Sequence, residues 1–332
     1  MTGEQMDAYI YRGAGGTEVI EQTRREVPEP AVGEVLVRTA AFGLNRADVQ
    51  QRRGYYPPPP GASDIPGLEA SGTIVGVGPG VTRWQIGDRV AALLSGGGYA
   101  QYIAVPEGQL LPVPEGMDLV AAAAIPEVTC TVMSNLFLEG DLRNGQSVLI
   151  HGGAGGIGSM AIQLAKDAGA TVYTTASDAG KLQHCHALGA DHGINYRAQD
   201  FSTEIDRLTE GRGVNLILDV VGAKYLTQNV SALAEGGQLV IIGLQGGAKA
   251  ELNIGQLMSK RARIIGTTLR SRTVAEKSEI VRHTIDRIRP LLEAGTLDLS
   301  VGATFEFDEL REAQDYFDSG EHRGKILVRA PR

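Results

Sequence analysis

The pattern of apolar and polar positions changes once along the chain. Between residues 7 and 125, short alternating runs at 8–11, 34–41, 70–77, 88–93 and 99–105 are broken by Gly and Pro. Period-two alternation in runs of this length predicts half-buried strands, and together they predict a small β-rich barrel. From about Pro126 the rhythm lengthens. Residues 131–138 read as helix, and short apolar runs at 148–150, 171–175, 193–196, 215–220, 238–243 and 263–267 then alternate with helical stretches. Six such runs separated by helices predict a parallel sheet covered on both faces. An amphipathic helix is predicted over 274–293, with Ile280, Val281, Ile285, Ile288 and Leu292 inward. Residues 303–307, 308–317 and 325–329 return to strand, helix and strand, and short strands of this kind assign them to the first domain.

Composition narrows the partners. The chain has 332 residues, 42% of them hydrophobic, enough for two cores. Glycine fills 44 positions, about twice the usual share, and with only 14 prolines this predicts tight turns rather than disorder. A formal charge of −8 argues against nucleic acid or an anionic membrane as the main partner. Cys130 and Cys185 are too few for a disulfide framework or a four-cysteine zinc site, which fits a reducing compartment. Neither a basic and apolar leader nor an apolar run long enough to cross a bilayer is read from the sequence, so a cytoplasmic protein is expected.

The candidate chemistry begins at Ser147. The string Ser147-Val-Leu-Ile-His-Gly-Gly-Ala-Gly-Gly-Ile-Gly-Ser159 joins a strand to a helix, and Gly153, Gly155 and Gly158 fit G-x-G-x-x-G. The first glycine is expected to permit the turn, the second to let backbone N–H groups approach a pyrophosphate, and the third to let helix and strand pack closely. Ile157, Ala161, Leu164, Ala165 and Ala168 make one helical face that stops at Gly169. This context predicts a dinucleotide, with Gly156 and Ile157 on the same turn. An acid binding the ribose 2′-hydroxyl is expected about 20 residues past the glycines. Here the next strand ends in Thr175, Ala176 and Ser177; Asp178 falls late and reads as a helix cap, while Lys181 is placed to meet a 2′-phosphate. NADP(H) is therefore expected, although Lys181 read alone is equally an ordinary solvated lysine.

Several strings then carry a resemblance. Gly43-Leu-Asn-Arg-Ala-Asp48, the run from Gln51 through Tyr55, Tyr56 and the prolines at 57–60 to Ser63, Pro66-Gly-Leu-Glu-Ala-Ser-Gly72, Gly87-Asp-Arg-Val90, Ala124-Ile-Pro-Glu127 and Leu269-Arg-Ser-Arg272 occur in that order. With the order of barrel, nucleotide domain and C-terminal return, the chain resembles the zinc-free NADPH:quinone oxidoreductases, the zeta-crystallin-like branch of the medium-chain dehydrogenase/reductase superfamily. The resemblance implies an α/β protein: a GroES-like catalytic domain over 1–127 and 272–332, and a Rossmann NADP(H)-binding domain over 128–271. Zinc alcohol dehydrogenases of the superfamily carry a cysteine in C-x-x-D and a histidine in G-H-E. The corresponding strings here are Asn45-Arg-Ala-Asp48 and Gly67-Leu-Glu69, so neither ligand is present and zinc catalysis is not expected.

The resemblance also implies roles. Asn45 and Tyr56 become the catalytic candidates, hydrogen-bonding a quinone oxygen as negative charge develops, with Tyr55 and Arg270 at the substrate. Tyr55 and Tyr56 read alone also fit a stiffened loop stacked on the prolines. Thr131, Gly243, Leu244, Gln245, Leu269, Arg270, Arg272 and Lys325 match cofactor positions, and Tyr196 accompanies Ser177 and Lys181 at the 2′-phosphate. Lys325 is equally a turn lysine, and the two arginines also fit a surface ion pair. A quinone is already electrophilic, so orienting two flat rings is most of the task. Reduction of activated double bonds and non-catalytic NADPH binding stay open as alternatives. A homodimer or homotetramer through an edge strand at 263–267 is expected.

Overall fold

The computed structural model describes residues 3–331. These divide into two compact units, one made of the chain up to Cys130 together with the chain from Leu269 onward, the other of Thr131–Thr268. Residues 128–130 and 269–271 therefore pack with the barrel-like unit, which places Arg270 there.

In the first unit, Glu34–Gly43 is the central strand, pairing with Glu69–Val77, Tyr102–Pro106 and Lys325–Arg329. The sheet continues through Arg89–Leu93 to Leu110–Pro112, and Val301–Phe305 closes its other edge in parallel with Lys325–Arg329. Gln5–Tyr11 and Ile20–Glu26 form a separate antiparallel pair. Phe42, Ile74, Val90, Tyr99, Leu110 and Ile326 fill the interior, with the Phe42 and Tyr99 rings stacked 4.6 Å apart. Register decides what meets at one end of this sheet. Phe42 pairs with Ala70 and Gly43 with Leu327, so Asn45, Glu69 and Lys325 arrive together. Gly43 is required there, because a Cβ would lie 2.3 Å from the Glu69 carboxylate.

The second unit is a six-stranded parallel sheet in the spatial order His192–Asn195, Thr171–Ala176, Ser147–His151, Val214–Asp219, Leu233–Ile241 and Arg263–Gly266. The chain starts at the centre, builds outward to one side, and then crosses to the other. That reversal opens a crevice at the carboxyl ends of Ser147–His151 and Val214–Asp219, where α/β sheets bind ligands.

Several expectations need correction. Ile20–Glu26 was not predicted as a strand, because six of its seven residues are polar and only Ile20 is buried. Leu110–Pro112 is only three residues long and carries no alternation. The strand expected at 238–243 begins at Leu233, where a register shift between Val214 and Leu216 absorbs Ala234-Glu-Gly-Gly237. The helix expected at 131–138 is the end of an α-helix, Pro126–Val132, followed by a π-helical turn over Met133–Glu139. There the Asn135 amide nitrogen donates to the Thr131 carbonyl at 2.7 Å, and the Asn135 carbonyl accepts from Gly140 N. Leu119–Glu139 does have the length and composition to cross a membrane, contrary to the sequence reading, but 78% of its apolar window is buried inside the protein. Burial of that kind marks a core helix.

The C-terminal helix Leu310–Ser319 is tied to the helix Arg46–Arg52 through Arg52, whose fully buried guanidinium reaches Gln314 and the Asp318 carboxylate. Arg46 and Arg53 flank the same carboxylate. Asp318→Ala leaves the Arg52 charge buried and unpaired, which should cost about 3–5 kcal/mol in urea unfolding. Arg52→Met leaves no buried charge behind and should cost clearly less; equal losses would contradict this assignment.

Candidate active site

The turn that begins at His151 is shaped by its glycines, though not as the spacing alone implies. The left-handed residue is Gly152, with φ of 70°. Gly153 is needed for space instead: a Cβ there would lie 2.0 Å from Thr174 Oγ1 and 3.0 Å from Cys185 Sγ. Gly158 meets the backbone of Gly152 and Gly153 within 2.6 Å, which seats the helix Gly156–Asp167 against the turn. Gly155 is different, since its Cβ would find only Gly152 O at 3.5 Å. Open space beside Gly155, together with a helix start that no side chain caps, leaves first-turn N–H groups directed outward. Such an end binds a pyrophosphate.

Beneath the turn runs a buried chain of hydrogen bonds. The Asp219 carboxylate accepts from Val221 N at 2.7 Å, Gly222 N at 3.0 Å and Asn229 Nδ2 at 3.1 Å. With its amide nitrogen so engaged, Asn229 presents Oδ1 to His151 Nε2 at 2.7 Å. His151 therefore carries its proton on Nε2, and Nδ1 accepts from the Thr175 hydroxyl at 3.1 Å, which in turn accepts from Gly152 N. Burial pushes the His151 pKa down to about 4, the bond to Asn229 only partly opposing it. Burial likewise raises Asp219 to about 6 against its two backbone N–H bonds. The network joins three strand ends under the cofactor turn. It was missed in the sequence, where an acid closing a mostly apolar strand was its only signal.

At the end of the neighbouring strand, Asp178 caps the helix Ala179–Ala187, accepting from Lys181 N at 2.9 Å and from the Ser177 hydroxyl at 2.8 Å. Both carboxylate oxygens are thus engaged, and the cap reading of Asp178 holds. Tyr196, 41% exposed, bonds through its N–H to Ala176 O, so Ser177 and Tyr196 follow adjacent strand ends, and Lys181 lies in the first turn of the helix after Ser177. Gly243 packs against Val220, while Leu244 and Gln245 are exposed at the same end of the sheet. Thr131 is buried, with its carbonyl on the π-turn.

The first unit holds the other candidates. Lys325 Nζ, 3% exposed, donates to Leu44 O at 2.9 Å, Asn45 Oδ1 at 2.7 Å and Glu69 Oε1 at 2.5 Å. All three ammonium protons are spent inside the unit, which withdraws Lys325 from the cofactor contacts. Asn45 Nδ2 donates to Glu69 Oε1 at 3.0 Å and Gly43 O at 3.4 Å, so it has no donor left for a quinone oxygen. Its expected role changes from substrate donor to support. Glu69 Oε2 accepts from Glu127 N. Nearby, Asp48 accepts from Asn45 N and the Tyr99 hydroxyl, and burial raises its pKa to about 6. This donor set does not suit zinc: a carboxamide and the buried Leu68 stand where a thiolate and imidazole are needed, and an ammonium already neutralises Glu69. No cluster of three or more His, Cys, Asp or Glu among the described residues could hold a metal.

Arg270 and Tyr56 come together, and Tyr55 does not join them. The Arg270 guanidinium, 4% exposed, reaches Gln51 Oε1 at 2.7 Å, Ser95 O at 2.8 Å and Tyr56 O at 3.4 Å, and lies 5.5 Å from the Tyr56 ring centroid. The Tyr56 hydroxyl forms no hydrogen bond among the described residues. Burial raises its pKa, Arg270 lowers it and Glu127 raises it. Tyr55 is 78% exposed on the loop. Leu269 and Arg272 bound the short turn that carries Arg270, with Arg272 N bonded to Leu269 O at 3.2 Å.

Comparison with known proteins shows the family. Residues 31–115 match the alcohol dehydrogenase GroES-like domain family and residues 156–286 the zinc-binding dehydrogenase family. The chain is 31% identical to a quinone oxidoreductase of Pseudomonas aeruginosa over 95% of this chain and 96% of that one. A mycobacterial protein solved with NADPH superposes with a TM-score of 0.88 at 26% identity, over 98% of this chain and 100% of that one. The enoyl reductase CurK superposes with a TM-score of 0.87 at 27% identity, over 99% and 100%.

Two predictions follow from the turn and its support. Gly155→Ala should leave the melting temperature unchanged yet weaken nicotinamide dinucleotide binding by roughly tenfold or more, whereas Gly153→Ala should destabilise the fold by about 1–3 kcal/mol. Thermal melts beside fluorescence titration separate the two, and a normal cofactor affinity in Gly155→Ala would contradict the assignment. Between pH 6.5 and about 4 the unfolded chain protonates a histidine that folded His151 keeps neutral, so stability falls as pH drops through this window, by about 3 kcal/mol in total. Asp219 acts oppositely, its raised pKa adding stability as pH falls from about 6 to 3.8. His151→Gln should therefore lose less stability than wild type on acidification from pH 6.5 to 4; parallel curves would contradict the buried neutral imidazole.

Proposed function

Because the chain belongs to the quinone oxidoreductase-like medium-chain dehydrogenases/reductases, we propose that it reduces quinones with NADPH and without a metal. The observation that carries this reading is the half-buried Tyr56 hydroxyl, free of protein partners and backed by the buried Arg270, in a unit where Asn45, Glu69 and Lys325 are engaged with one another. When bound, the reduced nicotinamide supplies the hydride. The chain's own groups then have a limited task. Tyr56 donates a hydrogen bond to the substrate oxygen that gains negative charge, and its proton, or one from water, completes the hydroquinone. Arg270 favours that charge through the ring and loop it supports. Main-chain N–H groups of residues 156–158 hold the pyrophosphate. Ser177, Lys181 and Tyr196 receive the 2′-phosphate, because Asp178 is committed to its helix cap and to the Ser177 hydroxyl.

A second reading has specific support in the CurK likeness. In an enone or enoyl thioester the hydride goes to the β-carbon and a proton to the α-carbon, and Tyr56 suits that donation equally. We further propose a homodimer or homotetramer through Arg263–Gly266, the edge of the parallel sheet, near the exposed Ile254 and Met258.

The test is NADPH and NADH oxidation by chelator-treated protein, with phenanthrenequinone and a simple enone as acceptors. The expected result is quinone-dependent oxidation that prefers NADPH, with the preference reduced by about tenfold in Lys181→Ala, the loss expected when one phosphate-bound charge is removed. Tyr56→Phe should lower kcat by roughly tenfold to a hundredfold with NADPH binding unchanged. Equal use of NADH would refute the 2′-phosphate assignment, and turnover confined to the enone would favour the second reading.

A further inference from the structure

Lys277 lies on the inward face of the helix Val274–Glu293, in the stripe otherwise made of Ile280, Val281, Thr284, Ile285 and Ile288. It is 3% exposed, and neither it nor Arg270 forms an ion pair among the described residues. A buried ammonium without an ion-pair partner is costly, so its position asks for a function. Its hydrogen-bond partner is the Ser95 hydroxyl. An ammonium has no lone pair, so Ser95 Oγ must accept from it and give its own proton elsewhere. That proton goes to the Arg270 carbonyl at 3.2 Å, while the Ser95 carbonyl accepts from Arg270 Nε at 2.8 Å. Ser95 thus clamps Arg270 at its main chain and its guanidinium, and Lys277 sets the direction of the clamp. Arg270 in turn supports Tyr56.

We propose that Lys277 is a positioning residue for reduction: its protonated form orients Ser95 and Arg270 behind Tyr56, and loss of that proton releases the clamp and lowers turnover. This rests on the function proposed above. The neutral amine can accept a hydrogen bond, so the Ser95 hydroxyl is free to turn toward it and leave the Arg270 carbonyl. Burial first, then the neighbouring Arg270, bring the Lys277 pKa down to about 8, with Glu276 opposing. The other ionisable groups on elements against this helix are differently engaged. Glu276 accepts from Thr273, Glu107 from the N–H groups of Thr82 and Arg83, and buried Cys130 has its thiol pushed up to about 12. Glu127 bonds through its N–H to Glu69. Lys277 is the group among them that changes charge just above neutrality.

The experiment is the pH profile of NADPH oxidation with phenanthrenequinone for wild type, Lys277→Met and Lys277→Arg, beside NADPH titration and thermal melts. Wild type should lose activity above pH about 8. Lys277→Met, which fits an apolar stripe and should fold, is expected to lower kcat about tenfold at neutral pH and to lack that alkaline limb, with NADPH affinity unchanged. Lys277→Arg keeps the charge and should recover most of the rate while carrying no fall near pH 8. An alkaline limb that persists in Lys277→Met, or equal rates in the three proteins, would overturn the proposal. If wild type oxidises NADPH with neither quinone nor enone, the functional reading fails, and phenolate absorbance then tests the clamp alone. The tyrosine step lost in Tyr56→Phe should come at lower pH in Lys277→Arg, whose charge holds the clamp through that range, than in wild type or Lys277→Met, where Lys277 is already neutral or absent; equal steps in the three proteins would overturn the proposal.

Discussion

The first unit depends on one buried ion pair. Lys325 sits between Glu69 and Asn45, with every proton of its ammonium given to an oxygen and both partners out of solvent. Such a pair adds little net stability, because desolvation consumes most of the attraction. Its effect is on register. Lys325 begins a strand near the end of the chain, Glu69 begins one in its first quarter, and Asn45 follows the central strand between them. A slip of one residue in any of these pairings would leave a charge buried alone. The pair therefore fixes how the two separated parts of the chain join into one unit, and it spends the polar groups that a metal or a substrate would otherwise use. On the proposed function, chemistry at this end of the sheet passes to the adjacent loop, where Tyr56 and Arg270 meet.

The second unit solves its problem with backbone. Its glycines do different work: Gly152 turns the chain, Gly153 and Gly158 make room for packing, and Gly155 keeps space open beside an uncapped helix start. A main-chain site of this sort is only as exact as the scaffold under it. The hydrogen-bonded line from Asp219 through Asn229, His151 and Thr175 to Gly152 N supplies that scaffold without placing a charged side chain against the ligand. Both units thus use buried polar groups to hold a neighbouring surface still.

Much of this was legible in the sequence, for identifiable reasons. Strands buried on one or both faces announce themselves through period-two or continuous apolar runs, and the long helix at Val274–Glu293 through its stripe. The glycine motif marked a tight turn between strand and helix through its spacing. What pattern could not give was hydrogen-bond direction. Asn45 and Lys325 were visible as site residues, but that their donors point at each other and at Glu69 is a property of three-strand register. Ile20–Glu26 was hidden because an edge strand with one buried residue has no apolar period. Lys277 was readable in principle, since a lysine one turn before Ile280 and Val281 falls on the apolar face, yet a single cation in a stripe is silent about what it holds.

The central claim is direct hydride delivery to a quinone in a site that relies on Tyr56 rather than a metal. The most direct measurement is a single-turnover reaction of the chelator-treated protein with phenanthrenequinone, using NADPH deuterated at the transferring position. A primary isotope effect on the absorbance decay, with the deuterium label lost from the cofactor and no radical signal, is the predicted result. Decay without an isotope effect and with a radical signal would mean one-electron transfer, and would contradict the account.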